Sequence, residues 1–222
     1  VGLSETRWVV QAFLLTVGVL SLIAGRLGDL FGHRRVYLSG FALFGVTSLA
    51  CGFAPSFTTL IVARVLQAVG SALLMATGPA LLTTIVPPAV RGRSLGMLST
   101  ATYLGLTLGP PLGGLLVDLG GWRWTFWINV PVCAVVYWAG HTLLPRSHES
   151  RGPRRFDWRG AAALVTGLPL LLLALSEGDV WGWASLPTLA TGAVGLAIVV
   201  VFVLSQRGRE EALLDLRLFE SR

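Results

Sequence analysis

The chain is predicted to be an all-α integral membrane protein with about seven transmembrane helices, and three observations carry that expectation. Of its 222 residues 54% are hydrophobic and 13% charged, with a mean hydropathy of +0.72; a soluble domain carries about a quarter charged residues. The apolar residues gather into runs of about 20, the length a helix needs to cross roughly 30 Å of hydrocarbon. The 17 basic residues, all arginine, fall mostly in short clusters between those runs.

The runs place spans near 8–29, 36–54, 58–85, 93–117, 123–144, 160–177 and 185–205. The third and fourth are long enough to tilt or to extend beyond the bilayer. The sixth is the least regular, because Gly167 and Pro169 interrupt it. Arg26, Arg34 and Arg35 follow the first span, Arg91 and Arg93 the third, and Arg146, Arg151, Arg154, Arg155 and Arg159 the fifth. Arg207, Arg209, Arg217 and Arg222 follow the seventh. The intervening connections hold Arg123 beside Asp118, or the acidic pair Glu177 and Asp179, and 54–57 has no charge. Alternate connections are therefore basic, which predicts an outside N-terminus and a cytoplasmic C-terminus. Trp8, Trp122, Trp124, Trp181 and Trp183 fall at the expected outer interface and Trp158 at the inner one, where an amphipathic ring is favoured.

Four regions follow. Residues 1–145 form a five-span bundle, 146–159 a charged cytoplasmic linker, 160–206 two additional spans, and 207–222 an interfacial tail. The odd number of spans and the start at Val1, with neither Met nor a basic leader, suggest a helix missing ahead of this piece.

Several function classes are disfavoured. The net charge of +6 resides in topology-setting clusters, with no aromatic-interleaved basic face or zinc spacing to meet nucleic acid. Cys51 and Cys133 both lie in apolar runs and read as small packing residues. His33, His141 and His148 are scattered, without the convergent partners an enzyme or a metal site needs. No cofactor is expected.

Three motifs remain. In Gly25-Arg-Leu-Gly-Asp29-Leu-Phe-Gly32-His-Arg34-Arg35 a lone acid sits among bases at a span end. The glycines allow a tight turn and close helix approach, and the carboxylate can pair with a base or meet a helix N-terminus. Arg64 lies about 9 Å into the third span, three residues before Gln67. Burying it costs roughly 2.5–3.5 kcal/mol, so it must pair, face a cavity or snorkel outward. Gly105, Gly109 and Gly113 recur every fourth residue and share a helix face, with Pro110, Pro111 and Gly114 beside them. Such a face admits another helix closely and bends.

These motifs, in this order, resemble the major facilitator superfamily, specifically its fourteen-helix drug:proton antiporters. Gly25, Leu27, Asp29, Gly32 and Arg34 match its loop motif, Arg35 extending the basic run while Leu30 and His33 depart from it. The resemblance implies a conformational latch there. Arg64 and Gln67 match its antiporter Arg-x-x-Gln-Gly pattern, Ala68 replacing the glycine, which implies a role in proton coupling. The glycine-proline run matches the antiporter motif of its fifth helix, and 122–131 resembles the opening of its sixth. Asp118 and Arg123 are expected to pair, and Asn129 to hydrogen-bond between helices. The seven spans then correspond to the family's second through eighth helices.

The resemblance implies efflux of drug-like small molecules or antibiotics across a bacterial cell membrane in exchange for protons, the gradient supplying the energy. This piece alone is not expected to transport. No acid is expected at mid-membrane depth, so the proton-binding carboxylate should lie outside it. A symporter or uniporter for a small solute and a non-transporting membrane partner are the alternatives, and oligomeric state is left open.

Overall fold

The computed structural model describes residues 3–145, 156–206 and 213. Most of the predicted 146–159 linker, with Arg146, Arg151, Arg154, Arg155 and His148, and the tail apart from Leu213 lie outside the described residues, whereas Arg159 falls in the first turn of the next helix.

The apolar runs fold as helices because a bilayer offers backbone groups no other partner. They are α1 (Leu3–Phe31), α2 (His33–Gly52), α3 (Phe57–Ile85), α4 (Arg91–Gly120), α5 (Trp124–Trp127), α6 (Asn129–Leu143), α7 (Trp158–Trp181) and α8 (Leu186–Ser205). A short 3-10 turn, Pro88–Val90, precedes α4. Five of them, α1, α2, α3, α7 and α8, are long and apolar enough to cross a membrane. The two remaining predicted spans differ from that pattern. α4 is 30 residues long, but its glycines, prolines and threonines dilute its apolar character. The fifth predicted span is broken at Ile128 into α5 and α6. Pro131 explains the break, since its ring crowds the carbonyl four residues back, that of Trp127.

Helix starts follow capping chemistry. Ser56 and Thr59 form a reciprocal capping box at α3. Asp157 caps α7 through the Gly160 N–H at 2.9 Å, and Ser185 caps α8. Gly32 joins α1 to α2 with φ of +89°, a conformation that glycine alone adopts without strain.

α3 packs between α1 and α2, α6 lies on the other side of α2, and α8 packs on α7, which leans on α1. Two crossings are made by glycine pairs. A Cβ on Gly70 would stand 2.8 Å from the Phe44 N–H nitrogen and 3.0 Å from the Gly40 carbonyl, so α2 and α3 meet backbone to backbone. Gly195 would press on Leu171 N at 2.5 Å and Gly167 on Ile198 Cγ2 at 2.7 Å. The irregularity at Gly167 is therefore a seam between α7 and α8, not a helix end. Cys133 packs on Gly45, which joins α6 to α2. α4 stands apart: none of its residues is buried, and among the described residues its main contacts are with α3, the 3-10 turn and α5.

Candidate functional site

Arg64 lies two turns into α3, and its guanidinium turns inward. Its Nη1 donates to Gln67 Oε1 at 2.7 Å, and its Nε to the Val9 carbonyl of α1 at 3.3 Å. The Phe13 ring of α1 covers it, with Cζ 4.1 Å from the centroid, and the Phe126 ring of α5 lies 5.6 Å away. Both are within cation–π range. Gln67, 1% exposed, in turn donates to Ser48 Oγ of α2 at 2.6 Å and accepts a long contact from Cys51 Sγ at 3.9 Å. The three-residue spacing of Arg64 and Gln67 puts both on one face of α3, and the Gly40–Gly70 crossing brings α2 close enough to hold the amide. Nη2 of Arg64 has no hydrogen-bond partner among the described residues. The arrangement is a fixed cation with one donor edge available to an acceptor from elsewhere, and snorkelling is not what accommodates it.

The loop motif is assembled at the opposite end of α1. Asp29 Oδ1 lies 3.5 Å from His33 Nε2 across the Gly32 turn, an ion pair when the imidazole is protonated. Gly28 lies against His33 and Thr77 of α3, where a Cβ would stand 2.6 Å from His33 Nδ1; Gly25 faces open space. Among the described residues Arg34 does not bond Asp29: its Nε donates to the Leu144 carbonyl at 3.0 Å and its Nη2 to that of His141 at 2.6 Å. A cation there satisfies the last carbonyls of α6 and complements its dipole. Arg35 is exposed. His33, a departure from the family pattern, is thus the partner of Asp29.

Among the described residues the glycine-proline face is not brought to any other helix. Added Cβ atoms on Gly105, Gly109, Gly113 and Gly114 would meet nothing within 4 Å, and Pro110 and Pro111 are exposed within a continuous helix. Two further expectations are corrected. Among the described residues no ion pair joins Arg123 to Asp118. Arg123 instead donates to the Ala54 carbonyl at 3.4 Å and lies 4.4 Å from the Trp122 ring, because the Gly121 turn carries it towards the α2–α3 connection. Asn129 bonds the Thr125 carbonyl at 3.1 Å, bridging the α5–α6 break rather than two helices.

The role of one residue was missed. Glu177, expected at the end of its span, lies inside α7 and is 5% exposed. Arg7 of α1 pairs with it at 3.1 Å, and Gln11 donates to the same oxygen at 3.1 Å. Arg7 also bonds the Ser176 carbonyl at 2.8 Å, and Gln11 bonds the Ser176 hydroxyl. The chain does therefore bury a carboxylate, near one end of the bundle. Arg7 and Gln11 lie one turn apart on α1, and that spacing was the available signal.

Membrane-length helices packed through glycine seams, with an arginine held inside the bundle, define a polytopic helical membrane protein. The Major Facilitator Superfamily model matches residues 1–211, and the chain belongs to that family. It is 38% identical to the multidrug resistance protein Stp of Mycobacterium tuberculosis, over 99% of this chain and 41% of that protein. It is 35% identical to the tetracenomycin C resistance and export protein of Streptomyces glaucescens, again over 99% and 41%. The riboflavin transporter RibZ of Clostridioides difficile is 31% identical over 100% of this chain and 47% of its own length. The chain thus spans less than half the length of these relatives.

Proposed function

We propose that this chain is part of a proton-coupled exporter of drug-like molecules in a bacterial plasma membrane, with Arg64 its coupling cation. The observation that carries the reading is the open Nη2 edge of a guanidinium otherwise fixed by Gln67, Val9 and Phe13. Arginine keeps its proton, so Arg64 acts by tuning an acid that gains and loses one. A carboxylate reaching that edge from another segment of a longer protein would be stabilised as the anion, and drug or proton binding would then compete with the pair.

Glycine-faced α4 fits the same reading, because a smooth helix with nothing against it is available to a second bundle that rocks across it. The Asp29–His33 contact and the Arg34 bonds to α6 form a latch at the end we assign to the cytoplasm, the N-terminal end of α1 lying outside. The names of the resistance and export relatives support efflux. The riboflavin transporter supports the alternative of movement of one small solute.

The test is drug movement in everted vesicles containing a protein of the relatives' length that carries this chain. Efflux should depend on the proton gradient, and Arg64→Ala should abolish it with expression retained. Gradient-independent transport, or normal efflux by Arg64→Ala, would overturn the reading.

A further inference from the structure

A cavity of about 510 Å³ opens where the N-terminal part of α1, the α2–α3 connection and the α4–α5 turn meet. Val9, Leu60 and Phe126 are among its apolar walls, and Ser56, Trp122 and Arg123 also line it. The volume is in the range of small-molecule sites, about 300–1,000 Å³. Its chemistry is lopsided. The walls are mostly apolar, and among the described residues Arg123 is the charged group in the lining and no carboxylate joins it. Arg64 lies one turn deeper on α3, outside the lining, with its guanidinium 5.6 Å from the Phe126 ring. Arg123 is exposed, is covered on one face by Trp122 and among the described residues makes a single 3.4 Å bond, to Ala54 O, which leaves most of its donors to a ligand. Trp122 and Trp124, both exposed, flank it at a helix end, the place of interfacial tryptophan in a bilayer.

We propose that this cavity is a binding site for an anionic phospholipid: one acyl chain enters between Leu60 and Phe126, and Arg123 holds the phosphate at the rim. Charge complementarity selects the occupant. Arg123, with no acid among the described lining residues, repels a cation and forms charge-assisted bonds with a phosphate. A site for a compact drug would need several convergent polar groups to fix orientation. Here one charged contact above an apolar slot suits a flexible chain with a charged head. The site requires only that the chain lie in a bilayer and is independent of whether the protein exports drugs.

Native mass spectrometry of the 222-residue chain, released from detergent containing phosphatidylglycerol or phosphatidylcholine of the same acyl composition, tests it. Phosphatidylglycerol should be retained about tenfold better, the worth of one charge-assisted contact. Arg123→Gln should erase that preference, whereas Arg91→Gln, at the other end of the bundle, should leave it. Leu60→Trp should fill the slot and reduce retention of both lipids, with Leu60→Phe as a milder substitution if the first does not fold. Equal retention of the two lipids would overturn the proposal, as would an equal loss in Arg91→Gln. Displacement by inorganic phosphate would show an ion site only, and displacement by a lipophilic cation would show a drug site. Loss of retention in a protein of the relatives' length would also overturn it, another segment then filling the cavity.

Discussion

Three side chains decide more here than their number suggests. Gln67 is the hub of the Arg64 site, because its amide is bonded on both sides and is 1% exposed. Gln67→Leu would strip both partners at once and release the guanidinium. Ser48→Ala would remove only the support from α2. Glu177 is the equivalent hub between α1 and α7. Without it Gln11, 9% exposed, loses a buried acceptor. Glu177→Ala should lower the stability of the chain by about 1–3 kcal/mol, the cost of leaving such a group unsatisfied. Glu177→Gln, which keeps an acceptor oxygen, should lose less. Thermal unfolding in detergent separates the two, and indistinguishable midpoints would show that the cluster does not hold the helices together. Half of the Arg7 side chain meets solvent, so the ion pair itself contributes little beyond these hydrogen bonds.

Elements divide by what their glycines touch. The Gly40–Gly70 and Gly167–Gly195 contacts are occupied seams, where backbone stands against backbone. The Gly105–Gly113 face of α4 has the same spacing and touches nothing within 4 Å. Gly70→Ala should therefore destabilise the chain by about 1–3 kcal/mol through overpacking against Phe44 and Gly40. Gly109→Ala should change it by no more than about 1 kcal/mol, in the favourable direction, through helix propensity. In a protein of the relatives' length, Gly109→Val should instead slow or uncouple transport, because the face would then have a helix to meet. Equal stability of Gly70→Ala and the unmodified chain, measured by unfolding in detergent, would contradict the seam. The motif on α4 was plain in the sequence. The seam glycines carried no pattern and became visible only when two helices were placed together.

At the scale of the whole molecule, the bundle has two ends with different chemistry. Arg34 closes one by holding the last carbonyls of α6, and the other carries the Glu177 cluster, Arg123 and the α7–α8 turn. The additional pair, α7 and α8, is not an isolated hairpin. It rests on α1 at one end through Arg7 and Gln11, and at the other through Leu22 and Ile23 against Ala161, Leu164 and Phe202. The proposed orientation predicts which surface each end meets. A cysteine replacing Ala184, in the exposed α7–α8 turn, should react with a membrane-impermeant maleimide in right-side-out vesicles. One replacing Val90, exposed in the 3-10 turn, should react only in everted ones. Buried Cys51 and Cys133 keep the background low, and the reverse labelling pattern would invert the topology.

Local properties were legible from the residues alone. The number and order of apolar runs, their helical form, the family and the spacing of Arg64 with Gln67 depend on composition and short-range pattern, which a bilayer reads directly. The break at Ile128 was implicit in Pro131, although its effect on the fifth span was not anticipated. Which charged groups meet was decided only by tertiary structure. Asp118 with Arg123 and Asp29 with an arginine were the natural pairings by proximity along the chain, yet Arg123 turns to Ala54, Arg34 to α6 and Asp29 to His33. Glu177 finds Arg7 across 170 residues. Inside a bundle a charge is accommodated by whatever donor or acceptor the neighbouring helix brings within about 3 Å, and helix neighbours are set by long-range packing that no local pattern encodes.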